Sequence, residues 1–284
     1  MTIATGIRLT DTEDTLRSSA PHTFVALLAR DLRVLRQDAA SFAVRIGLQP
    51  VILLFLFTYV LPKIGTGSAL SANGSSATFS TILVPGLVAS SVLMAGLMAV
   101  SQPLMIELSY TNEIEDRLLA PLPTWMFGLQ KIVSGALQAL IGGAIVFPIA
   151  IVLHAPGQAP LLQVESWPLL AIVVLFGSLF SASLGLLAGT VVDPRKTGVL
   201  LTVLVMPATL LGCVFYPWSA LAPLRWLQIL TLFNPLAYFS EGLRASLTSQ
   251  VPHLPTGSFL TALIVGSAAT AAFSVFAFTR KVIS

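Results

Sequence analysis

Apolar residues along this chain come in long runs separated by short polar breaks. Six runs reach the roughly 20 residues that a membrane-crossing helix needs: Phe42 to Leu61, Phe79 to Met105, Phe127 to Leu153, Trp167 to Val192, Gly198 to Tyr216 and Ser258 to Thr279. The breaks carry turn chemistry, as in Gly65-Thr66-Gly67-Ser68, Ala155-Pro156-Gly157 and Asp193-Pro194-Arg195-Lys196. The pattern predicts an all-α polytopic membrane protein with six transmembrane helices. Shorter-range periodicity adds two elements. Ahead of the first run, Phe24, Val25, Leu28, Leu32 and Leu35 share one helical face. Arg30, Arg33 and Gln37 take the opposite face, with Arg36 at the boundary. This predicts an amphipathic helix over about 22–38, lying in the membrane interface or packed on another protein. Residues 1–20 are polar and unpatterned, which predicts disorder. Between the fifth and sixth runs, Pro217 to Gly257 is long yet still apolar. Asn234-Pro235 reads as an N-cap followed by proline at the first helical position, and Leu236, Phe239, Leu243 and Leu247 then share a face. Two helices of about four turns each are too short to cross. They predict a re-entrant hairpin in the outer half of the membrane, buried against protein, with two further spans as the alternative. A cytoplasmic tail, 1–41, thus precedes a transmembrane domain, 42–284.

Composition identifies the solvent. Only 10% of the 284 residues are charged, 55% are hydrophobic, and mean hydropathy is +0.89. A soluble domain carries about 25% charged residues, so a soluble enzyme, a disordered chain and a nucleic-acid binder are excluded. With six spans, twelve of the fifteen Lys and Arg residues fall on one side of the membrane, the side of both termini, and three on the other, which places both termini in the cytoplasm. The single cysteine, Cys213, excludes a disulfide framework and reads as a small buried hydrophobe.

The cores of the six runs hold no Asp, Glu, His, Lys or Arg; Arg45, Glu107, Lys131 and His154 sit near the boundaries, where long side chains snorkel. This argues against a proton-coupled pump, an intramembrane protease and a metal-dependent membrane enzyme. His22, His154 and His253 are scattered, so neither a metal site nor a catalytic group is predicted. The four lysines follow Pro, Gln, Arg and Arg, none of them the glycine of a phosphate-binding loop. Energy for any work has to come from another subunit. The densest charge lies between the second and third spans, where Glu113, Glu115, Asp116 and Arg117 adjoin Leu118, Leu119, Leu122 and Trp125. A short amphipathic helix there suits docking onto a cytoplasmic partner; a solvated connector is the alternative. Gly177, Ser181, Gly185 and Gly189 recur at every fourth position of the fourth span, a stripe for close helix approach within the chain or between subunits. Glu241 and Arg244 stand three apart, close enough to pair, or to bond backbone carbonyls or a neighbouring span instead.

Two stretches resemble a known family. Glu115-Asp116-Arg117-Leu118-Leu119-Ala120-Pro121-Leu122, followed by Trp125, resembles the coupling region of ABC-2 type exporter permeases. Phe233-Asn234-Pro235-Leu236-Ala237-Tyr238-Phe239-Ser240-Glu241-Gly242-Leu243-Arg244 resembles the signature before that family's last span, in the manner of daunorubicin-resistance-like drug-efflux permeases and bacterial nodulation-factor exporters. Span number, loop order and length match as well. The resemblance implies a non-catalytic permease of the bacterial plasma membrane that pairs as a homodimer or heterodimer. It further implies two copies of a separate ABC ATPase subunit, on which ATP and Mg would reside, and drugs, lipids or glycolipids as outward-moving substrates. An ion-coupled secondary carrier, a lipid-acting membrane enzyme and a receptor-like scaffold are the other classes open to the sequence.

Overall fold

In hydrocarbon every backbone N–H and C=O has to be bonded within the protein, so apolar runs of this length fold as helices. The computed structural model describes residues 9–60, 63, 79–109, 123–154, 159–192, 205–248 and 251–283. Its elements are α1 (Leu9–Gln37), α2 (Ala39–Leu54, continued by a π-helical stretch Phe55–Val60), α3 (Phe79–Ser109), α4 (Thr124–Val152), α5 (Trp167–Val191), α6 (Arg225–Thr231), α7 (Pro235–Leu247) and α8 (Thr256–Ile283). No strand occurs among the described residues. Five helical stretches are long and apolar enough to cross a membrane: Ala39–Val60, Phe79–Glu107, Thr124–Val152, Trp167–Val191 and Thr256–Val282. They carry the first four predicted spans and the sixth.

α3 is the central helix: 83% of its apolar stretch is buried, against 19% in α2 and 22% in α8. It packs against α4, α5 and α7. One large apolar cluster surrounds the end of the bundle that holds α7, with Leu83, Val88, Val173, Phe239, Leu243 and Phe259. A smaller one, with Leu104, Phe127, Leu186 and Phe278, closes the opposite end.

Three expectations are corrected. α1 begins at Leu9, so residues 9–20 are helical where disorder was predicted. The predicted fifth span, 198–216, lies outside the described residues from 198 to 204, and the rest is helical only over 205–210 before turning through 211–216. The chain breaks there because Cys213 adopts φ +52°, a left-handed conformation that a helix does not continue. The first helix of the predicted hairpin is not four turns long. α6 has seven residues and follows a 3-10 turn, Trp218–Leu221, because Pro217 and Pro223 interrupt the segment.

Candidate functional site

The signature segment begins where the sequence places a cap. Asn234 Oδ1 accepts from Leu236 N at 3.1 Å, and Pro235 opens α7. The same Asn234 side chain donates through Nδ2 to Ala208 O at 2.6 Å, hooking α7 onto the 205–210 helix. The expected face of Leu236, Phe239, Leu243 and Leu247 is buried, but so is most of the remaining circumference: eleven of the thirteen residues of α7 are inside, among them Glu241 and Arg244 with no exposed surface.

Glu241 and Arg244 form an ion pair with Nη1 to Oε1 at 2.6 Å. Arg244 Nε also donates to Ile82 O of α3 at 3.2 Å, and Nη2 donates to Cys213 O and, at 3.1 Å, to Val214 O. Glu241 Oε1 accepts from Trp218 N at 3.0 Å and Oε2 from Leu254 N at 3.1 Å. The guanidinium thus takes up the carbonyls that the chain leaves unbonded where it unwinds after residue 210. The carboxylate fixes the two strands of chain that enter and leave the hairpin. Gly86 of α3 permits this approach, since a Cβ there would overlap the Val214 carbonyl. Ser240 Oγ adds a bond to Gly212 O at 2.6 Å. A buried pair whose lone pairs and protons are almost all taken is a fixed joint between α3, α7 and the 211–218 turn, not a surface ion pair.

The small-residue stripe of α5 lies against α3 and α7 of the same chain. A Cβ at Gly185 would stand 2.7 Å from Leu97 O and 2.9 Å from Gly96 O, and one at Gly189 would stand 3.2 Å from Leu104 Cβ and Ser101 Cα. Ser181 faces Gly96, and Gly177 receives the ring of Phe239 from α7.

At the other end of the bundle lies a second buried ion pair. Lys131 Nζ of α4 stands 2.9 Å from Glu107 Oε1 of α3, with both side chains almost wholly inside. The expectation that these two snorkel as separate boundary residues is therefore corrected: α3 and α4 enclose both ends of the pair, and each charge neutralises the other. Lys131 Nζ lies 5.5 Å from the Phe127 ring, which stacks on Phe278 of α8. Lys281 Nζ donates to Thr190 O at the end of α5, and Gln130 Nε2 donates to Asp31 Oδ2 of α1 at 2.9 Å. Of the predicted docking residues, Trp125 is exposed in the first turn of α4. Glu113, Glu115, Asp116, Arg117, Leu118 and Leu119 lie outside the described residues.

A groove of about 210 Å³ opens between α2, α3 and the 205–210 helix, lined by Gln49, Ser90, Ser91, Gln102 and Thr209 among Pro50, Leu53, Met94 and Met98. All its hydrogen-bonding side chains are uncharged. Ser90, Ser91 and Thr209 donate to carbonyls of their own helices and keep their oxygens as acceptors. A second cavity of about 400 Å³ between α3, α5 and the start of α7 is almost entirely apolar, with Leu93, Leu97, Phe180 and Phe233 in its wall. Sequence reasoning missed the groove because its polar residues come from three helices and are single interruptions in each run. Among the described residues no group of three His, Cys, Asp or Glu side chains stands ready for a metal ion.

Comparison with known proteins gives three findings. The profile of the ABC-2 type transporter family matches residues 22–248. The inner membrane transport permease YadH of Escherichia coli (strain K12) is 27% identical over 219 residues, covering 76% of this chain and 81% of that protein. The proteins of the same name in Escherichia coli O157:H7 and Shigella flexneri align with the same identity and coverage. No solved structure matches.

Proposed function

The chain belongs to the ABC-2 type transporter family, and from that premise we propose that it is the permease subunit of an ATP-driven exporter moving a hydrophobic or amphiphilic substrate outward. It is a membrane transport subunit; the finer reading adds the power source and the cargo. Two permease chains, alike or different, pair, and two copies of an ABC ATPase subunit bind the side that carries the 113–125 segment. Both termini face the cytoplasm, the stretch between α5 and the 211–216 turn supplies a sixth span, and α6 and α7 dip into the outer half of the membrane. ATP and Mg belong to the partner. The observation that carries the cargo class is the groove of Gln49, Ser90, Ser91, Gln102 and Thr209. Neutral donors and acceptors set among apolar helices suit a molecule with an apolar body and an uncharged polar part.

Docking is tested in vesicles that hold the permease with its ATP-binding subunit. Reversing Glu115 and Asp116 to Lys, or Leu119→Ala, is expected to weaken association about 30-fold or more, the effect of removing about 2 kcal/mol from an interface anchor. Insertion into the membrane should stay normal. Unchanged association and unchanged ATP-driven export in both variants would remove the docking role, and export that persists without ATP would favour an ion-coupled carrier. Sidedness has its own test. In a Cys213→Ser background, cysteines at Thr5 and Thr197 are expected to resist a membrane-impermeant maleimide in intact cells, while cysteines at Ser71 and Gln158 react. The reverse pattern would invert the topology.

A further inference from the structure

α1 is amphipathic in a way that the bundle uses only on one side. Phe24, Leu27, Leu28, Leu32 and Leu35 are partly buried, with Leu27 against the cluster around Phe127 and Leu35 against the cluster around Leu83. Asp31 on this side is held by Gln130. Arg30, Arg33 and Arg36 occupy the opposite side at i, i+3 and i+6, all exposed, along about 9 Å of helix. Among the described residues, Arg33 and Arg36 form no ion pair, and Arg30 approaches only Asp31, at 3.9 Å. Asp38, exposed just past the end of the helix, is the next acid along the chain.

Two features set the depth of this face. The chain passes from Gln37 through Asp38 into α2, the first membrane-crossing stretch, so the arginines lie where the chain enters the bilayer. Val25 and Val34, 61% and 55% exposed, flank the arginine stripe on its two sides, and exposed Val44 and Leu48 continue the apolar surface along α2. Guanidinium groups framed by exposed valines do not suit bulk water. They suit the boundary between headgroups and acyl chains, where an amphipathic helix presents basic groups to phosphates and aliphatic ones to the chains. An arginine fork binds a phosphate through two parallel hydrogen bonds.

We propose that Arg30, Arg33 and Arg36 form a binding site for the phosphate groups of anionic phospholipids in the leaflet on the N-terminal side of the membrane. The site anchors α1, and through Asp31–Gln130 it holds the start of α4. It depends on the chain being a membrane protein and not on the exporter reading, so the two stand or fall separately.

The test uses the full-length protein in phosphatidylcholine vesicles doped with spin-labelled phosphatidylglycerol or spin-labelled phosphatidylcholine, and reads the motionally restricted fraction of each label. Each arginine near an anionic surface favours binding by about five-fold. The parent is therefore expected to retain phosphatidylglycerol several-fold over phosphatidylcholine, with the preference shrinking in about 0.5 M salt as screening sets in. The triple variant Arg30→Gln, Arg33→Gln, Arg36→Gln should lose most of the preference. The matching triple lysine variant should keep most of it, which separates charge from damage to the fold. Equal retention of both labels by the parent would overturn the proposal, as would an unchanged preference in the glutamine variant. Loss of ATPase association in the glutamine variant, with no lipid preference in the parent, would assign the face to an acidic protein surface and overturn it too.

Discussion

Arg244→Ala is expected to destabilise the hairpin by about 3–5 kcal/mol, because removing one partner of a buried pair leaves the other charged and desolvated. Here Glu241 would keep only the backbone donors of Trp218 and Leu254, and the carbonyls of Ile82, Cys213 and Val214 would lose a donor that no solvent replaces. Glu241→Gln is expected to be damaging but milder, since the amide oxygen still accepts a hydrogen bond while the guanidinium goes unneutralised. Removing both, as Glu241→Gln with Arg244→Met, should cost less than the two changes added together, because the residues act as one unit. Asn234→Ala gives the local scale: a lost cap is worth about 1 kcal/mol. A reporter cysteine at Ser240, which has no exposed surface in the parent, reads the opening of the hairpin in a Cys213→Ser background. Labelling is expected to be about 100-fold faster or more with Arg244→Ala, and export should fall while ATPase association at the other end is kept. A parent labelling rate in this variant would show that the pair does not hold the hairpin in place.

What the sequence discloses here depends on how local the cause is. The long helices are legible because each run carries its own reason to be helical in lipid, and the start of α7 is legible because Asn234 and Pro235 act within three residues of themselves. The pair Glu241 and Arg244 is visible as two residues one turn apart. Their remaining partners are not visible, since Ile82 lies 162 residues from Arg244 and the carbonyls of Cys213 and Val214 about 30 residues away. The same distance hides the end of the fifth apolar run. Gly212-Cys213-Val214-Phe215 looks like uninterrupted span, and it turns because Arg244 waits to receive its carbonyls. Glu107 and Lys131 read as boundary residues for a related reason: the chain between them says nothing of their meeting at 2.9 Å. The extra turns of α1 before residue 22 were missed because a polar helix lacks the apolar period that reveals the others.

The stripe on α5 sets the second large expectation. Helices in lipid gain nothing from leaving water, so their association rests on close packing, and the α3–α5 contact is the place where backbone meets backbone. A methyl group at Gly185 meets two carbonyl oxygens, of Gly96 and Leu97, which belong to the middle of a helix and cannot rotate away as a side chain would. α5 would have to withdraw along its length, loosening Ser181 from Gly96, Gly177 from the Phe239 ring, and with it the seat of α7. Gly185→Ala is therefore expected to lower stability by about 1–3 kcal/mol, the usual cost of overpacking, and Gly185→Leu should yield no folded protein. Gly266→Ala on α8 is the control, because nothing lies within 4 Å of its added Cβ and alanine favours a helix over glycine by about 1 kcal/mol. Its thermal midpoint in detergent should equal or exceed that of the parent. If Gly185→Ala unfolds at the parent's midpoint while Gly266→Ala behaves as expected, α3 and α5 do not touch at Gly185, and the stripe has to face a partner outside this chain.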